Sequence, residues 1–188
     1  MPKSRSHTKY IACLESLWDS NLEDRLNVKP ILELLSTCRG IRHIYLTCNT
    51  IDELTFNLKR IPKRKYYSIL YLGFHGSAGK VYLADKSELG LDELANKMED
   101  RFQNWIIHFG SCATVAAGDE MLTDFMQKTD VALIIGYNKN VDWIQSAALD
   151  MLIFDWLQEY KNLGAFIKKF KSLYPDLIAA TGLRFFQG

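Results

Sequence analysis

The chain has 188 residues, of which 48% are hydrophobic and 24% are charged. This composition fits one globular domain with a sizeable core and leaves little room for a second domain. The formal net charge is +1, and acids and bases are mixed along the chain. That balance excludes the strong long-range field that favours nucleic acid or an anionic membrane surface, so we predict neither partner.

The first segment, residues 1–9, is polar and basic and is not followed by the apolar stretch and cleavage site of a secretory signal. We expect it to be a disordered arm, and we expect residues 10–188 to form a single domain. No uninterrupted apolar run in the sequence approaches the ~20 residues that cross a bilayer. The protein is therefore expected to be soluble.

Four cysteines are scattered along the chain without a CxxC pair or a close histidine partner. This spacing argues against a zinc site and against a disulfide framework. A reducing cytoplasm fits such thiols best, so we predict a cytoplasmic protein with no metal and no cofactor. Cys13, Cys38 and Cys48 lie in or beside apolar strand or helix patterns, and we expect all three to be small core residues.

Short β-rich segments alternate with helical segments from one end of the chain to the other. Thr50 and Glu53 have the spacing of a capping box at the start of the second helical segment. Residues 76–90, GSAGKVYLADKSELG, predict a small β-hairpin, and the tail ATGLRFFQG predicts a last short strand. The main predicted strands are residues 10–18, 42–48, 66–74, 105–109 and 131–137, and the predicted helices are residues 29–37, 51–61, 91–102, 120–128, 143–160 and 163–173.

Several of these strands are almost continuously apolar, as in YYSILYLGF and VALIIGY. Continuous apolar strands are typical of a parallel sheet that helices cover on both faces. The repeated β-α-β order therefore predicts an α/β fold, a three-layer α-β-α sandwich with a mostly parallel sheet of about five or six strands. In such folds, ligands and catalytic groups gather at the carboxyl ends of the strands.

Two neighbouring elements of the pattern deliver a reactive side chain to that edge. The third strand runs into Phe74-His75-Gly76, and the fourth runs into Ser111-Cys112. Both turns contain glycine, which opens the backbone to a close substrate. Neighbouring strands lie about 4.8 Å apart, so His75 and Cys112 would face one another if the two strands pair.

This pair of side chains suits nucleophilic catalysis. A cysteine attacks as its thiolate, and a nearby imidazole can remove the thiol proton and later protonate the leaving amine. Small residues around Gly76 and Cys112 would leave the backbone N–H groups of these two residues free to form an oxyanion hole. The sequence therefore predicts a His75/Cys112 dyad.

At these residues the sequence resembles a known group, the caspase-like peptidases, which include caspases, gingipains, separases and the CHAT domains. The segments ILYLGFHGSAG and WIIHFGSCATV look like the paired His-Gly and small-Cys signatures of that group. The strand, polar turn and long helix of residues 131–170 are similar to the CHAT type in particular. The resemblance covers roughly residues 66–188, and it implies a caspase-like fold.

The resemblance also implies a function. It suggests a cysteine endopeptidase that cleaves a polypeptide through a thioester acyl-enzyme and that a regulatory or sensor protein activates. In such relatives, loops after the first and fifth strands hold the substrate side chain, and here those loops carry Asp19 and Asp142. An acidic pocket would bind a basic substrate side chain.

Two other functions stay open. One is a catalytically silent scaffold of the same fold, and the other is a small-molecule hydrolase or transferase that uses the same cysteine. His108, four positions before Cys112, is expected to be a core histidine that is hydrogen-bonded to the backbone. The basic segment KRIPKRKYY, residues 59–67, is interpreted as a solvated loop rather than a nucleic-acid surface.

Overall fold

The computed structural model describes residues 7–19, 23 and 26–187. Within these residues, the strands form one six-stranded sheet and a second sheet of three short strands. In chain order the strands are β1 (Tyr10–Glu15), β2 (His43–Thr47), β3 (Tyr67–Gly73), β4 (His75–Ser77), β5 (Lys80–Tyr82), β6 (Glu88–Gly90), β7 (Ile106–Phe109), β8 (Leu133–Tyr137) and β9 (Leu183–Phe186).

The main sheet has the order β2-β1-β3-β7-β8-β9. Its first five strands run parallel, and β9 runs antiparallel to β8. The strands β3 and β7 are hydrogen-bonded neighbours, with Leu72 opposite Phe109. Because these two strands run in the same direction, the residues that follow them leave the sheet at the same edge. The predicted mostly parallel sheet of five or six strands is confirmed.

Helices cover both faces of the main sheet, which gives the predicted three layers. The helices are α1 (Lys29–Arg39), α2 (Ile51–Arg60), α3 (Leu91–Met98), α4 (Asp119–Thr129), α5 (Trp143–Leu157), α6 (Leu163–Leu173) and α7 (Pro175–Thr181). Leu70 and Leu72 of β3 point into the core beneath α2, α3 and α4, whereas Ile69 and Tyr71 point into the core beneath α1, α5 and α6. Burial of each large apolar side chain contributes roughly 1.5–3 kcal/mol.

Local sequence rules explain most of the helix boundaries. The capping box predicted at Thr50 and Glu53 is present, with both reciprocal hydrogen bonds. The third predicted helix changes at Glu99, whose φ of 53° ends α3 and starts a 3-10 turn over Glu99–Phe102. The sequence pattern gave no prediction for α7. This helix begins with a proline, which the first helical turn tolerates because its missing N–H has no partner there.

The small sheet carries the predicted hairpin. The strands β4 and β5 pair antiparallel through a two-residue turn that contains Gly79 at a φ of 73°. The strand β6 then pairs with β5 and leads directly into α3. The prediction for the tail is also confirmed, since β9 completes the main sheet next to β8.

The cysteine prediction holds for two residues of three. Cys13 and Cys48 are fully buried, but Cys38 is exposed near the end of α1. The prediction for Cys38 is wrong because the α1 face that contacts the core is the one that carries Leu32 and Leu35. Burial raises the pKa of the Cys48 thiol to about 11.

The last residue of the amino-terminal segment, Lys9, is hydrogen-bonded to the end of α5 and the turn after it. Lys9 donates from Nζ to the carbonyl oxygens of Leu157 (2.9 Å) and Tyr160 (2.7 Å), at the end of α5. Residues 1–6 of the predicted arm lie outside the described residues. Within the described part of the chain, no helix combines the length and the apolar character that a bilayer span requires.

Candidate active site

The Cys112 turn lies where β7 leaves the sheet. Gly110 N–H donates to the carbonyl oxygen of Leu72 (3.0 Å), which extends the pairing with β3 by one residue. Cys112 follows in a tight turn and is partly exposed. The next residue, Ala113, has a φ of 55°, a left-handed conformation that costs a non-glycine residue of the order of 1–3 kcal/mol. Strain of this kind is concentrated at functional sites in proteins.

The turn is anchored on both sides. The buried hydroxyls of Ser111 and Thr114 share a hydrogen bond of 2.6 Å. Thr114 accepts at its carbonyl oxygen from Gly79 N–H (3.0 Å), which ties the turn to the β4–β5 hairpin. On the other side, Ala113 N–H donates to the carbonyl oxygen of Lys139 (3.2 Å), in the loop after β8. The cysteine is therefore presented by a fixed backbone.

Gly76 packs directly against this turn. A Cβ atom at Gly76 would lie 2.2 Å from Thr114 Oγ1 and 2.7 Å from the carbonyl oxygen of Cys112. Both distances are too short for a real Cβ, so the close approach requires glycine. The structure therefore brings the His75–Gly76 segment into contact with the Ser111–Cys112 turn.

His75 is held by one ring nitrogen. Its Nε2 lies 2.7 Å from the carbonyl oxygen of Trp18, and its side chain is exposed. A carbonyl oxygen can only accept, so Nε2 carries the proton and donates it. In the neutral ring, Nδ1 then holds the lone pair. This tautomer leaves a basic nitrogen available at the open edge.

Trp18 is itself held in place by a hydrogen bond from its indole ring. Its indole N–H donates to Glu15 Oε1 (2.5 Å), and Tyr45 O–H donates to the other carboxylate oxygen (2.6 Å). Glu15 is buried at the end of β1, and burial raises the pKa of its carboxyl group. The Trp18 ring makes edge contacts with the rings of His75 and Trp143, each at 5.1 Å. The loops after β1 and β8 thus meet beside His75.

The two backbone N–H groups predicted for the oxyanion hole are those of Gly76 and Cys112. Within the described residues, the Cys112 N–H donates no hydrogen bond. Gly76 lies opposite Val81, one pair beyond the Ser77–Lys80 pair that closes the two-residue turn. In an antiparallel ladder hydrogen-bonded and non-hydrogen-bonded pairs alternate, so the Gly76 N–H points away from β5.

A buried polar cluster lies on the α5 face of the sheet. The Asp150 carboxylate accepts from His108 Nε2 (2.7 Å) and Tyr137 O–H (2.6 Å) at Oδ1, and from Tyr71 O–H (2.7 Å) at Oδ2. We call these four residues the Asp150 cluster. They come from β3, β7, β8 and α5, and all are at most 3% exposed. Three donors on one carboxylate compensate for its removal from water.

The cluster lies directly beneath the Cys112 turn. A Cβ atom at Gly110 would lie 2.2 Å from the Tyr71 hydroxyl, so the backbone before Cys112 rests on that side chain. Burial, followed by the Asp150 charge, raises the pKa of Tyr137 well above its usual range, and the charge of Cys112 acts in the same direction.

This cluster corrects one sequence prediction. His108 is a core histidine, but its partner is the Asp150 carboxylate and not the backbone. The sequence pattern gave no role to Asp150. Its spacing from Ser146, Ile153 and Leu157 puts it on the buried face of α5, and an acid at such a position indicates a paired buried charge.

The two predicted pocket acids lie beside the aromatic pair. Asp19 follows Trp18 and is exposed. Asp142 precedes Trp143 and is the N-cap of α5, where its Oδ1 accepts from Gln145 N–H (3.0 Å). Sequence analysis did not identify Trp18 or Trp143 as site residues. Among the described residues, no group of acid, histidine and cysteine side chains has an arrangement that could hold a metal ion.

The family model that matches this chain is described as a family of unknown function (DUF6642), and the match runs over residues 8–186. The chain belongs to the DUF6642 family. The match does not support the CHAT type for this DUF6642 chain, and the CHAT assignment stays a prediction. No curated protein matches the chain.

Among solved structures, the structure of pro-sf-caspase-1 is similar to the DUF6642 chain at 12% sequence identity and a TM-score of 0.45. The similarity covers 72% of this chain and 63% of the caspase chain, which is less than two thirds of the latter. A likeness of this strength carries no inference about activity.

Proposed function

We propose that this chain is a cysteine endopeptidase of the caspase-like, CHAT type, with Cys112 as nucleophile and His75 as general base. The observation that carries the proposal is the contact of Gly76 with the Cys112 turn at the ends of two paired parallel strands. The hydrogen bond from His75 to the Trp18 carbonyl oxygen supports it, because it leaves Nδ1 as the basic nitrogen.

The reaction has two halves, acylation of Cys112 and hydrolysis of the thioester, and each half needs two proton transfers. His75 Nδ1 takes the proton of the Cys112 thiol, and the sulfur attacks the carbonyl carbon of the peptide bond. The Gly76 and Cys112 N–H groups stabilise the oxyanion. The C–N bond then breaks, the amine leaves with the proton from the imidazolium, and a thioester remains. In the second half, water gives a proton to His75 and its oxygen attacks the carbonyl carbon of the thioester. The C–S bond then breaks, the His75 imidazolium returns its proton to the Cys112 sulfur, and the carboxylic acid product departs.

The substrate pocket would lie beside Trp18 and Trp143. The two rings stand nearly perpendicular, at 83°, with their centroids 5.1 Å apart. Asp19 follows Trp18 in the chain, and Asp142 precedes Trp143. Aromatic faces and carboxylates both attract a cation, so we propose a lysine or arginine side chain before the cleaved bond. The same proposal includes a polypeptide substrate, a cytoplasmic location and a regulatory or sensor protein that activates the enzyme.

A positional peptide library tests the activity. We expect the wild type to cleave after basic residues, and we expect Cys112→Ala and His75→Ala each to lose at least about a thousandfold in rate. Cys38→Ala is the matched control, since Cys38 is exposed on α1 and should leave the rate unchanged. Cleavage that survives both substitutions would contradict the proposal, and an acidic preference would contradict the pocket alone.

Alkylation tests the nucleophile even if the isolated chain is latent. With iodoacetamide near pH 7, Cys112 should react faster than Cys38, which serves as the ordinary exposed thiol of the same chain. Cys48, with a pKa of about 11, and the fully buried Cys13 should stay unmodified in the native protein. Peptide mass spectrometry measures all four rates. Equal rates at Cys112 and Cys38 would favour the alternative, a catalytically silent scaffold.

A further inference from the structure

An unfilled groove lies on the α2 face of the sheet, beside β2. Its cavity has a volume of about 330 Å³, within the size range of ligand pockets. Ile44 and Leu46 of β2 form part of its floor and are only partly buried, because α2 does not cover the edge strand fully. The other lining residues include Arg60, Ile61, Arg64 and Tyr67. We call this cavity the β2 groove.

The groove and the candidate active site lie in different parts of the sheet. Arg64 and Tyr67 come before or at the start of β3, whereas His75 follows the end of that strand. The groove thus runs along the edge strand β2 and past the amino end of β3, whereas the His75 and Cys112 turns lie at the carboxyl ends of β3 and β7. A ligand in the groove would leave the Cys112 turn free.

The rim of the groove carries uncompensated positive charge. The sequence has no acid between Glu53 and Asp85, and this interval contains the basic segment of residues 59–65. Among the described residues, none of the cations Arg42, Lys59, Arg60, Lys63, Arg64 and Lys65 forms an ion pair with an acid. Because the whole chain has a net charge of only +1, this patch is a local feature. It fits an anionic partner.

The outer edge of β2 is an open strand edge. The Arg42 carbonyl oxygen accepts from Ile11 N–H, and Cys48 N–H donates to the Glu15 carbonyl oxygen, so the even-numbered residues bond to β1. The backbone groups of His43, Tyr45 and Thr47 therefore point outwards. In the part of the chain that the structure describes, no strand pairs with this edge. Open edges of this kind bind extended peptides by strand addition.

The groove and the edge are adjacent. The side chains of Ile44 and Leu46 point into the groove while the backbone between them faces the open edge. Side chains of an added strand alternate between the two faces of the sheet. Every second side chain of a bound peptide would therefore lie over the groove, close to Arg60 and Arg64.

The contacts of two exposed aromatic residues near the rim favour a peptide over nucleic acid as the occupant of the groove. Phe56 and Tyr66 are each 59% exposed, and bases could in principle stack on them. However, the Arg60 guanidinium covers the Phe56 ring at 4.9 Å, and the Lys65 ammonium covers the Tyr66 ring at 5.0 Å. Arg60 and Lys65 therefore already occupy ring faces on which bases would stack, and the floor of the groove is apolar.

We propose that the β2 edge and groove bind an extended acidic peptide segment of a partner protein by strand addition. Its backbone pairs with the outward groups of β2, its apolar side chains enter the groove, and its carboxylates meet Arg60 and Arg64. The proposal uses neither Cys112 nor His75, so it stands or falls separately from the peptidase proposal.

Fluorescence anisotropy with the full chain tests this inference. The probe is a labelled heptapeptide with valine and glutamate in turn at its odd positions and threonine at its even positions, so that valine and glutamate lie on the same face of an extended strand. We expect saturable binding that weakens at least about tenfold in the double variant Arg60→Glu, Arg64→Glu. The matched control is Lys168→Glu with Lys169→Glu, the same charge change at two exposed positions on α6, which should change the affinity less than about twofold. Circular dichroism and thermal melts check that each variant is folded.

Three further probes separate the other occupants. A peptide with lysine in place of glutamate should not bind, and a glutamate peptide N-methylated at alternate amides should bind at least about tenfold more weakly, because the edge pairing is lost. Equal binding of the methylated peptide would overturn the proposal. Displacement of the glutamate peptide by decanoate or by a single-stranded oligothymidine, with the same dependence on Arg60 and Arg64, would also overturn it. Binding to Cys112→Ala should be unchanged.

Discussion

The two strands that meet at the centre of the sheet each bring a histidine to a different environment. His75 follows β3, is exposed, and donates from Nε2 to the Trp18 carbonyl oxygen. His108 lies within β7, is fully buried, and donates from Nε2 to Asp150. Each ring is held through its own Nε2, so the hydrogen-bonding nitrogen does not distinguish the two histidines. Exposure does: a substrate can reach the free nitrogen of His75 but not that of His108.

The comparison teaches that one residue type serves two purposes in adjacent strands. The buried ring belongs to a cluster that joins three strands to α5 and supports the Cys112 turn. The exposed ring lies at the edge that the turn faces. Substitutions in the cluster should therefore lower stability first, and substitutions at the edge should lower the proposed peptidase activity with little loss of stability.

The largest effect is expected for Asp150→Ala. It leaves the Tyr71 and Tyr137 hydroxyls and the His108 ring N–H without their buried acceptor, at a cost of about 3–5 kcal/mol in the free energy of unfolding. Urea denaturation measures the change. The control is Asp155→Ala on the same helix, whose side chain is 26% exposed and pairs with Arg39, and which should cost less than about 1 kcal/mol. Similar losses for both aspartates would contradict the role assigned to the cluster.

The second prediction compares the histidines directly. His108→Ala removes one donor to Asp150 and leaves a cavity, and we expect a loss of about 2–4 kcal/mol in the free energy of unfolding. His75→Ala removes a single hydrogen bond from an exposed side chain, so less than about 1 kcal/mol is expected. Thermal melts of the two variants, run side by side, give the ranking. A less stable His75 variant would invert the comparison.

The third prediction concerns the close contact of Gly76. In Gly76→Ala the added methyl group meets Thr114 Oγ1 and the Cys112 carbonyl oxygen, and the backbone must shift at a cost of about 1–3 kcal/mol. Alkylation of Cys112 should change in the same variant, because the turn moves. Gly118→Ala is the control, since nothing lies within 4 Å of the added atom and the expected cost is below about 1 kcal/mol.

The smallest effect is a pH dependence at Glu15. Burial raises the pKa of Glu15 in the folded chain, so its contribution to stability is fully present below the unfolded pKa, near 4.5, and is lost as the pH rises through the folded pKa. Glu15→Gln cannot titrate. The stability of the glutamine variant relative to wild type should therefore rise between pH 4 and pH 7, as denaturation at each pH measures. A constant difference would show that Glu15 titrates normally.

Much of the fold was predictable because its determinants are local. Apolar runs such as VALIIGY predict strands that are covered on both faces, and Thr50 with Glu53 predicts a helix start, since each pattern depends on residues a few positions apart. The positions of His75 and Cys112 at strand ends follow from the same runs. The exposure of Cys38 was not predictable from its apolar surroundings in the chain, because the orientation of α1 is set by its packing.

The site was predictable only in part. The strand pattern identified the histidine and the cysteine but not Trp18, whose carbonyl oxygen and ring fix His75 from a loop 57 positions away. Asp142 was predicted to be a pocket residue, and the structure shows that it is the N-cap of α5. Loop positions depend on long-range contacts that no local pattern encodes.

The sequence by itself determined the α/β layers, the parallel strands and the reactive side chains at two strand ends, because burial periodicity and turn chemistry act over short stretches of chain. Only the tertiary structure decided that Tyr71 and His108, 79 and 42 positions from Asp150, share one buried carboxylate. It also decided that no strand among the described residues covers the β2 edge, which lies beside a cationic groove. The physical reason is that a buried charge and an unpaired edge each depend on which distant segments pack together.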